Sequence, residues 1–591
     1  MKKIKRVTFI KIAALTSAAT FTNRVSALFS KDDIPDTRDN EFLQKLSNAN
    51  DTQVKDILSS ISGEKKTFSK KAGNDFAVLV SAYSFPGSVF YKDPLLLSAL
   101  EQLIQYLNSQ LSNDGTVNVN NLESPPDTAF LLEPVLSGAI ILQEHTAPEL
   151  TQLKSGIRNF ILKTGESLVT GGVHTPNHRW VISAALAKLN SLSPNKAYTN
   201  RIEEWLSEGI YMDADGHYPE RSGIYSSIEN NSLITIALLC NKPALLNAVR
   251  KNLDMTYYYM EPNGDMVTND SRRQDQYMTI KLFNYYLPYR YMAIRDNNAK
   301  YAGVAKWIES IPGFDKMVLD KYFFHFLDNK LLQQKLPSLA IPDTQYEKFF
   351  PTSNLLRIRR GNTTATLFGG ADMPLTIASG RSNSPDFFSF RKGKAILKHV
   401  RLSTKFFSLG YFYSEGIRKV NNRYLLEQKL TVPYYQPMPK KNQHKSGDYK
   451  LSPSIDHRFW NKMDFGNRPV SNVKTLDIKV FFSEGKTGNE LEFMITGLDG
   501  VAVTIELCFS EGGKLSGVTD VGNGDFFLEN GNGKYEFEGE TIMFGPGTLT
   551  HKDISGLEGE RYSTHFGSLK VSGQRVFLTG ITPFSHTIRL S

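Results

Sequence analysis

From about residue 75 to residue 335 the apolar positions recur at helical spacing. Leu96, Leu100, Leu103, Ile104 and Leu107 make one stripe, Leu153, Ile157, Phe160 and Ile161 a second, and Ile182, Ala185, Leu186 and Leu189 a third. Residues three and four apart share a helix face, so each stripe predicts a helix with one buried side. Asp93-Pro94 opens the first as an N-cap followed by proline at the first helical position, where the missing N–H costs nothing. A short loop follows each stripe, which predicts antiparallel helical hairpins. Similar turns at Asn113-Asp114-Gly115, Asp215-Gly216 and Asn263-Gly264 fit a unit of roughly 50 residues, the size of one hairpin. Hairpins closing into a ring would set these turns around one face.

Near residue 335 the period changes. Val501, Val503, Ile505, Leu507 and Phe509 alternate, as do Leu476, Ile478 and Val480, and Tyr535 and Phe537, with Gly-rich turns between them. Short alternating strands with frequent turns predict an antiparallel β-sandwich. The expected organisation is a helical domain over 28–335, an incomplete (α/α) toroid, then the β-sandwich over 336–591, with the boundary near Leu336-Pro337 to Pro342.

Residues 1–27 read as an export signal: Met1-Lys2-Lys3-Ile4-Lys5-Arg6, an apolar segment from Val7 to Phe21, and Val25-Ser26-Ala27. Lys5-Arg6-Val7-Thr8-Phe9-Ile10-Lys11 is similar to a twin-arginine signal with Lys for the first Arg. Destination is then the periplasm, cell surface or medium, and no membrane span is expected. Of two cysteines, Cys240 and Cys508, each sits in an apolar run, so buried free thiols are expected. The net charge is +9 without a long Lys/Arg run, which argues against a nucleic-acid tail and fits attraction of a polyanion.

Three clusters carry chemistry. Asp215 to Asn230 packs His217, Glu220, Arg221, Tyr218 and Tyr225 around a Gly/Pro-punctuated loop leading into an apolar helix from Leu233 to Cys240. His174 to Trp180, including Asn177 and His178, stands immediately before a helix, where amide, imidazole and backbone N–H groups converge on an anion. Asn269 to Asp275 holds adjacent Arg272 and Arg273, a clamp for carboxylate or sulfate oxygens. Asp127, in the Ser124-Pro125-Pro126-Asp127 turn, faces the same mouth. Neither a nucleotide-binding Gly-rich loop nor a metal-ligand triad is present, so no cofactor is expected. His399 and His457 lie near aromatic residues as candidates for a structural divalent metal in the β-half, with no ligand spacing to support it.

The form Asp-Gly-x-x-x-Glu-x-Ser-x-x-Tyr at Asp215, Gly216, Glu220, Ser222 and Tyr225, in a helical half followed by a β-sandwich, resembles the polysaccharide lyases of the heparinase II/III type. Chondroitin AC and hyaluronate lyases share the layout. The resemblance implies β-elimination beside a uronic acid of an anionic polysaccharide: the carboxylate is neutralised, the C5 proton removed, and the C4-linked sugar leaves. It gives Tyr225 the Brønsted role and Asn177, with His178, the neutralising role. His217 is a candidate base and Arg221, Arg272 or Arg273 a candidate clamp, with Glu220, Trp180 and Asp127 as further substrate contacts. A tyrosine, of ordinary pKa about 10, needs nearby positive charge to act as a base, and Arg221 is the neighbour in sequence. The chain departs from the family at Ser382 to Gly393. There Asp386, Ser389, Phe390 and Gly393 fit a motif early in the β-domain, but serines replace its histidines, so proton transfer falls to the helical half. Two alternatives stay open: an α-toroid glycoside hydrolase using Glu220 and Asp270 as paired carboxylates, and a non-catalytic glycan-binding protein.

Overall fold

The computed structural model describes residues 37–62, 71–370, 384–453, 460–485, 488–559 and 572–591. The export signal at 1–27, Ser382 and His457 lie outside them.

The helical half has twelve helices among the described residues: α1 Asn40–Ser62, α2 Ala72–Ser84, α3 Pro94–Ser109, α4 Pro125–Gln143, α5 Thr151–Thr170, α6 His178–Leu192, α7 Lys196–Ser207, α8 Gly223–Leu239, α9 Leu246–Thr256, α10 Tyr286–Arg295, α11 Ala299–Glu309 and α12 Phe323–Asp328. Hairpins begin at α2, α4, α6, α8 and α10, at intervals of 53, 53, 45 and 63 residues. The first helix of each hairpin packs on that of the next, making an inner row, and the second lies outside it. Composition follows position. Inner α4 buries residues on every side, whereas outer α7 buries only Tyr198 and Ile202, the difference between an apolar helix and one with a single apolar stripe.

The row is an incomplete (α/α) toroid, because α12, α1 and the turn Lys330–Gln333 fill the space between α10 and α2. Buried Arg290 of α10 donates to the Leu332 carbonyl at 2.9 Å and the Gln334 carbonyl at 2.8 Å, closing the ring with backbone acceptors. Lys188 of α6 is likewise buried and pinned to Glu133 of α4 at 2.7 Å and Asp328 of α12 at 2.9 Å. The turns at Gly115, Gly216 and Gly264 each join an outer helix to the next inner one, so they share one face of the ring. Gly216, at φ +108°, leaves no room for a side chain: a Cβ there would lie 2.8 Å from the Lys251 carbonyl oxygen of α9.

The chain passes from helices to strands between Gln333 and Gln345. Among the described residues, two sheets of ten and eight strands pack face to face. The larger runs from Gln345–Phe350 through Ala395–Thr404, Ala502–Phe509 and Gln574–Ile581; the smaller includes Arg423–Tyr435, Val470–Gly485 and Gly488–Gly497. Val503, Ile505, Leu507 and Phe509 meet Ile478, Val480, Phe482 and Phe493 in one core. Among the described residues the pairing is antiparallel except where Asp525–Phe527 runs parallel to Gln574–Ile581. Cys508 is buried and Cys240 only half-buried, and both are free thiols.

The halves are joined by a small apolar cluster, Met255, Tyr259 and Val267 against Phe350, Leu355 and Phe368. Beside it, fully buried Arg357 donates to Glu261 at 3.0 Å, and Thr364 donates to the other Glu261 oxygen at 2.6 Å. Two contacts reach the mouth loops: Ser353 donates to Asp215 from its backbone N at 2.8 Å and its hydroxyl at 3.0 Å, and the Asn269 amide donates to the Asp386 carbonyl at 2.9 Å.

Candidate active site

Inner helices α4, α6 and α8 all begin on the face that carries the turns, and their first residues bring Asp127, Asn177 and His178, and Tyr225 towards one mouth. Helix N-termini expose unsatisfied N–H groups and carry partial positive charge, so the mouth is suited to an anion.

Tyr225 is fixed by the start of α8. Ser222 caps the helix, its hydroxyl accepting from the Tyr225 N at 3.1 Å while donating to Asp275 at 3.0 Å. Asp275 also accepts from the Gly223 N at 2.8 Å, so a carboxylate from another loop holds the helix terminus. The same loop supplies the surroundings of the phenol. The Arg273 guanidinium lies 4.3 Å from the Tyr225 ring centroid and donates towards its oxygen at 3.3 Å, and the Gln274 amide donates to that oxygen at 3.0 Å. With both donors directed at the oxygen, the phenol proton is left to point elsewhere.

Arg273 also forms a short ion pair with Glu220. Glu220 is buried, and its other oxygen accepts from Asn177 Nδ2 at 2.7 Å. Burial pushes the Glu220 carboxyl up, against the opposing pull of Arg273 and Asn177. Asn177, fully buried, makes no cap bond to α6, and its Oδ1 has no hydrogen-bond partner. Asn177, Glu220, Arg273 and Tyr225 are thus one connected chain of contacts drawn from three loops.

His178 opens α6. Burial, with the neighbouring His174 and Arg273, lowers its pKa to about 4, Asp127 opposing, so it is a neutral imidazole at neutral pH. Asp127 accepts from Asn120 at 3.0 Å and Asn121 at 2.7 Å, which together with Ser124 and His178 overcome the cost of burial and hold its carboxyl low. A cavity of about 270 Å³ opens beside the mouth, sharing Phe130, whose ring meets His178 at 6.1 Å.

Other predicted residues lie elsewhere. Arg221, in the left-handed region at φ +48°, reaches the Thr352 carbonyl at 3.3 Å and Asp213 at 3.5 Å. The cation at Tyr225 is therefore Arg273, because the turn at Arg221 aims its side chain at the β-half. Trp180 is 1% exposed, in the α6 core beneath Arg179, so no sugar can stack on it. His217 is 2% exposed, with Nε2 2.9 Å from the Tyr259 hydroxyl, which itself donates to Asp270 at 2.9 Å. Since Tyr259 gives its proton to Asp270, His217 Nε2 carries hydrogen and donates to Tyr259. Burial lowers the His217 pKa, and the network faces the domain junction. Arg272 stitches the two loops together, its backbone N donating to the Glu220 carbonyl and its side chain to the Pro219 carbonyl, both at 3.0 Å. Asp270, the second carboxylate of the hydrolase alternative, is 2% exposed and engaged by Tyr259, so it does not flank an open space with Glu220.

Glu229, one turn beyond Tyr225 on α8, lies in the mostly polar stretch Ser226 to Ser232, which gives no sign that its carboxyl is buried. It is 1% exposed with neither oxygen hydrogen-bonded, and burial, reinforced by Glu220, pushes its carboxyl well up. In the β-half, His399 is committed to Glu506 at 3.1 Å beside Arg401 and Asp386, and no metal-holding group of His, Cys, Asp and Glu occurs among the described residues.

No protein-family model matches the sequence, and no curated protein matches it. Solved structures do. The chain is similar to heparinase III (13% identity, 90% of this chain and 78% of that one, TM-score 0.51). It is also similar to the chondroitin AC lyase of Streptomyces coelicolor A3 (12% identity, 94% and 80%, TM-score 0.53). A third match is a Paenibacillus xanthan lyase (11% identity, 93% and 57%, TM-score 0.54). The fold, an (α/α) toroid followed by a β-sandwich, is that of these polysaccharide lyases.

Proposed function

We propose that the protein is an exported polysaccharide lyase that cleaves a uronic-acid-containing polymer by β-elimination. The observation that carries this reading is the Tyr225 oxygen, on which Arg273 and Gln274 converge as donors. Tyr225 removes the C5 proton only as a phenolate, becoming a phenol as it does so, and donors already in place on its oxygen favour that starting anion without having to reorganise. The same hydroxyl then returns the proton to the departing C4 oxygen, so one residue serves as base and acid and the protons balance.

The uronate carboxylate must be neutralised before its neighbouring C–H becomes acidic. Neutral His178 at the start of α6, with the Arg273 charge behind it, supplies a donor for that oxygen pair, and Asn177 joins it by turning the Nδ2 it gives Glu220 towards the substrate. Glu220 orients both Asn177 and Arg273 and is in this reading a positioning residue rather than a base. His217, enclosed by Tyr259 and Asp270, holds the mouth loop against the β-half.

Elimination leaves an unsaturated uronide, read by ultraviolet absorbance on a panel of uronic polymers. Tyr225→Phe is expected to abolish that signal with circular dichroism and Tm unchanged; turnover by Tyr225→Phe close to that of the unmodified protein would sink the assignment. Reducing ends without ultraviolet absorbance would instead mark a hydrolase.

A further inference from the structure

Strands Arg423–Tyr435 and Val470–Gly485 pair continuously from Tyr424 opposite Phe482 to Tyr435 opposite Val470, with a bulge between Ser471 and Lys474. Their inner ends belong to the sandwich core, where Leu426 and Phe482 are fully buried. The outer ends do not. Tyr434 is 50% exposed and Val470 52%. At about 3.3 Å per residue, Tyr435 lies roughly 36 Å along the strand from Tyr424. This end, with 436–453 and 460–469, is an arm standing off the sandwich. Among the described residues no hydrogen bond or ion pair ties 436–474 to the helical half.

The arm is chemically distinct. Residues 436–474 contain eight Lys or Arg against three Asp, a surplus of five in a chain whose net charge is +9. Lys440, Lys441, Lys445 and Lys450 are exposed and have no acidic partner among the described residues. Rings accompany these charges. Tyr435 stacks on Phe465 at 4.5 Å, and Tyr434 meets Phe407 edge-on at 5.9 Å. Consecutive strand residues point to opposite faces, so the arm offers rings on both sides. Phe407, 39% exposed, is held out by a turn in which it and Ser408 have φ of +51° and +55°. Two consecutive left-handed residues that are not glycine are strained, and that strain here sets an aromatic ring in water.

Exposed apolar groups rimmed by charge mark an interaction site. We infer that the arm is a second, non-catalytic binding site for an acidic polysaccharide. Lysines meet its carboxylates or sulfates, and the ring faces accept the apolar faces of its sugars. A flexible polyanion can wrap a ribbon with rings on both faces, whereas a flat anionic membrane touches one face at a time. The site does not depend on the elimination reaction: an arm that binds without turnover anywhere in the protein leaves this inference standing and removes the lyase reading.

The full chain is run in native gels containing alginate, hyaluronan or heparin, with neutral dextran as control. Retardation by at least one acidic polymer and not by dextran is expected. Lys440→Glu with Lys441→Glu, and separately Tyr434→Ala with Tyr435→Ala, should each weaken that binding about tenfold or more. The charge variant should also flatten its salt dependence, and both should leave Tm unchanged. Turnover of a short oligosaccharide should stay as in the unmodified protein. The inference is overturned if no acidic polymer retards the protein, or if both variants bind as the unmodified chain does. It is equally overturned if they lose binding to phosphatidylserine vesicles while polymer binding persists.

Discussion

Tyr225 owes its surroundings to side chains that follow it by 48 and 49 residues. Arg273 combines a planar face on the ring with an N–H towards the oxygen. Lysine supplies charge without the plane, so Arg273→Lys is expected to lower kcat by about 10²-fold while shifting KM little, as for loss of one donor to a developing anion. A raised KM with kcat unchanged would assign Arg273 to ground-state binding instead. Glu229 makes a different point. Its carboxyl is held above the ordinary value of 4.5 by burial beside Glu220, so the folded protein prefers it protonated. Stability is then lost as pH rises above the unfolded value, because the unfolded chain releases the proton and the folded one resists doing so. Glu229→Gln removes that penalty. Its Tm should exceed that of the unmodified protein at pH 8, by the equivalent of about 1–3 kcal/mol, and converge with it towards pH 4.5. A gap that widens on acidification would mean that Glu229 is ionised in the fold.

At the scale of elements, α8 shows why some of the site was legible and some was not. Asp93-Pro94 marked the start of α3, and Asp93 indeed accepts from the Leu95 N at 2.9 Å, since capping is a relation between adjacent residues. The apolar stripes likewise became buried faces, and the alternating strands became the sandwich core. The start of α8 obeys the same local rule at Ser222, but its second support, Asp275, comes from a loop whose return is set by ring closure. For the same reason sequence proximity offered Arg221 to Tyr225 where the fold supplies Arg273. Trp180 was misplaced because a ring near a polar cluster gives no sign of which helix face it occupies. Ser222→Ala removes the cap and half of the Asp275 contact. It should cost about 1 kcal/mol in urea unfolding and lower kcat further than that loss of folded population explains. Activity scaling only with the folded fraction would limit Ser222 to stability.

For the whole molecule, the decisive joint is the buried pair of Glu261 and Arg357. Burial would raise the Glu261 carboxyl, but Arg357 and Arg391 overcome it and hold the group low. Removing one partner of a buried pair leaves the other charge uncompensated, so Glu261→Ala should destabilise by about 3–5 kcal/mol. Because the pair bridges the halves, calorimetry should show one transition for the unmodified protein and two for the variant. One transition in the variant would place the coupling in the apolar cluster around Tyr259 and Phe350.

The bonds from Ser353 to Asp215 and from Asn269 to Asp386 bear on how the protein is born. A ribosome finishes the helical ring first, yet the loops at its mouth meet Ser353 and Asp386 only after those residues have emerged. The sheet carrying them is complete only when Gln574–Ile581 has paired with Ala502–Phe509. Translation order thus postpones a finished mouth until well after the helical ring has emerged.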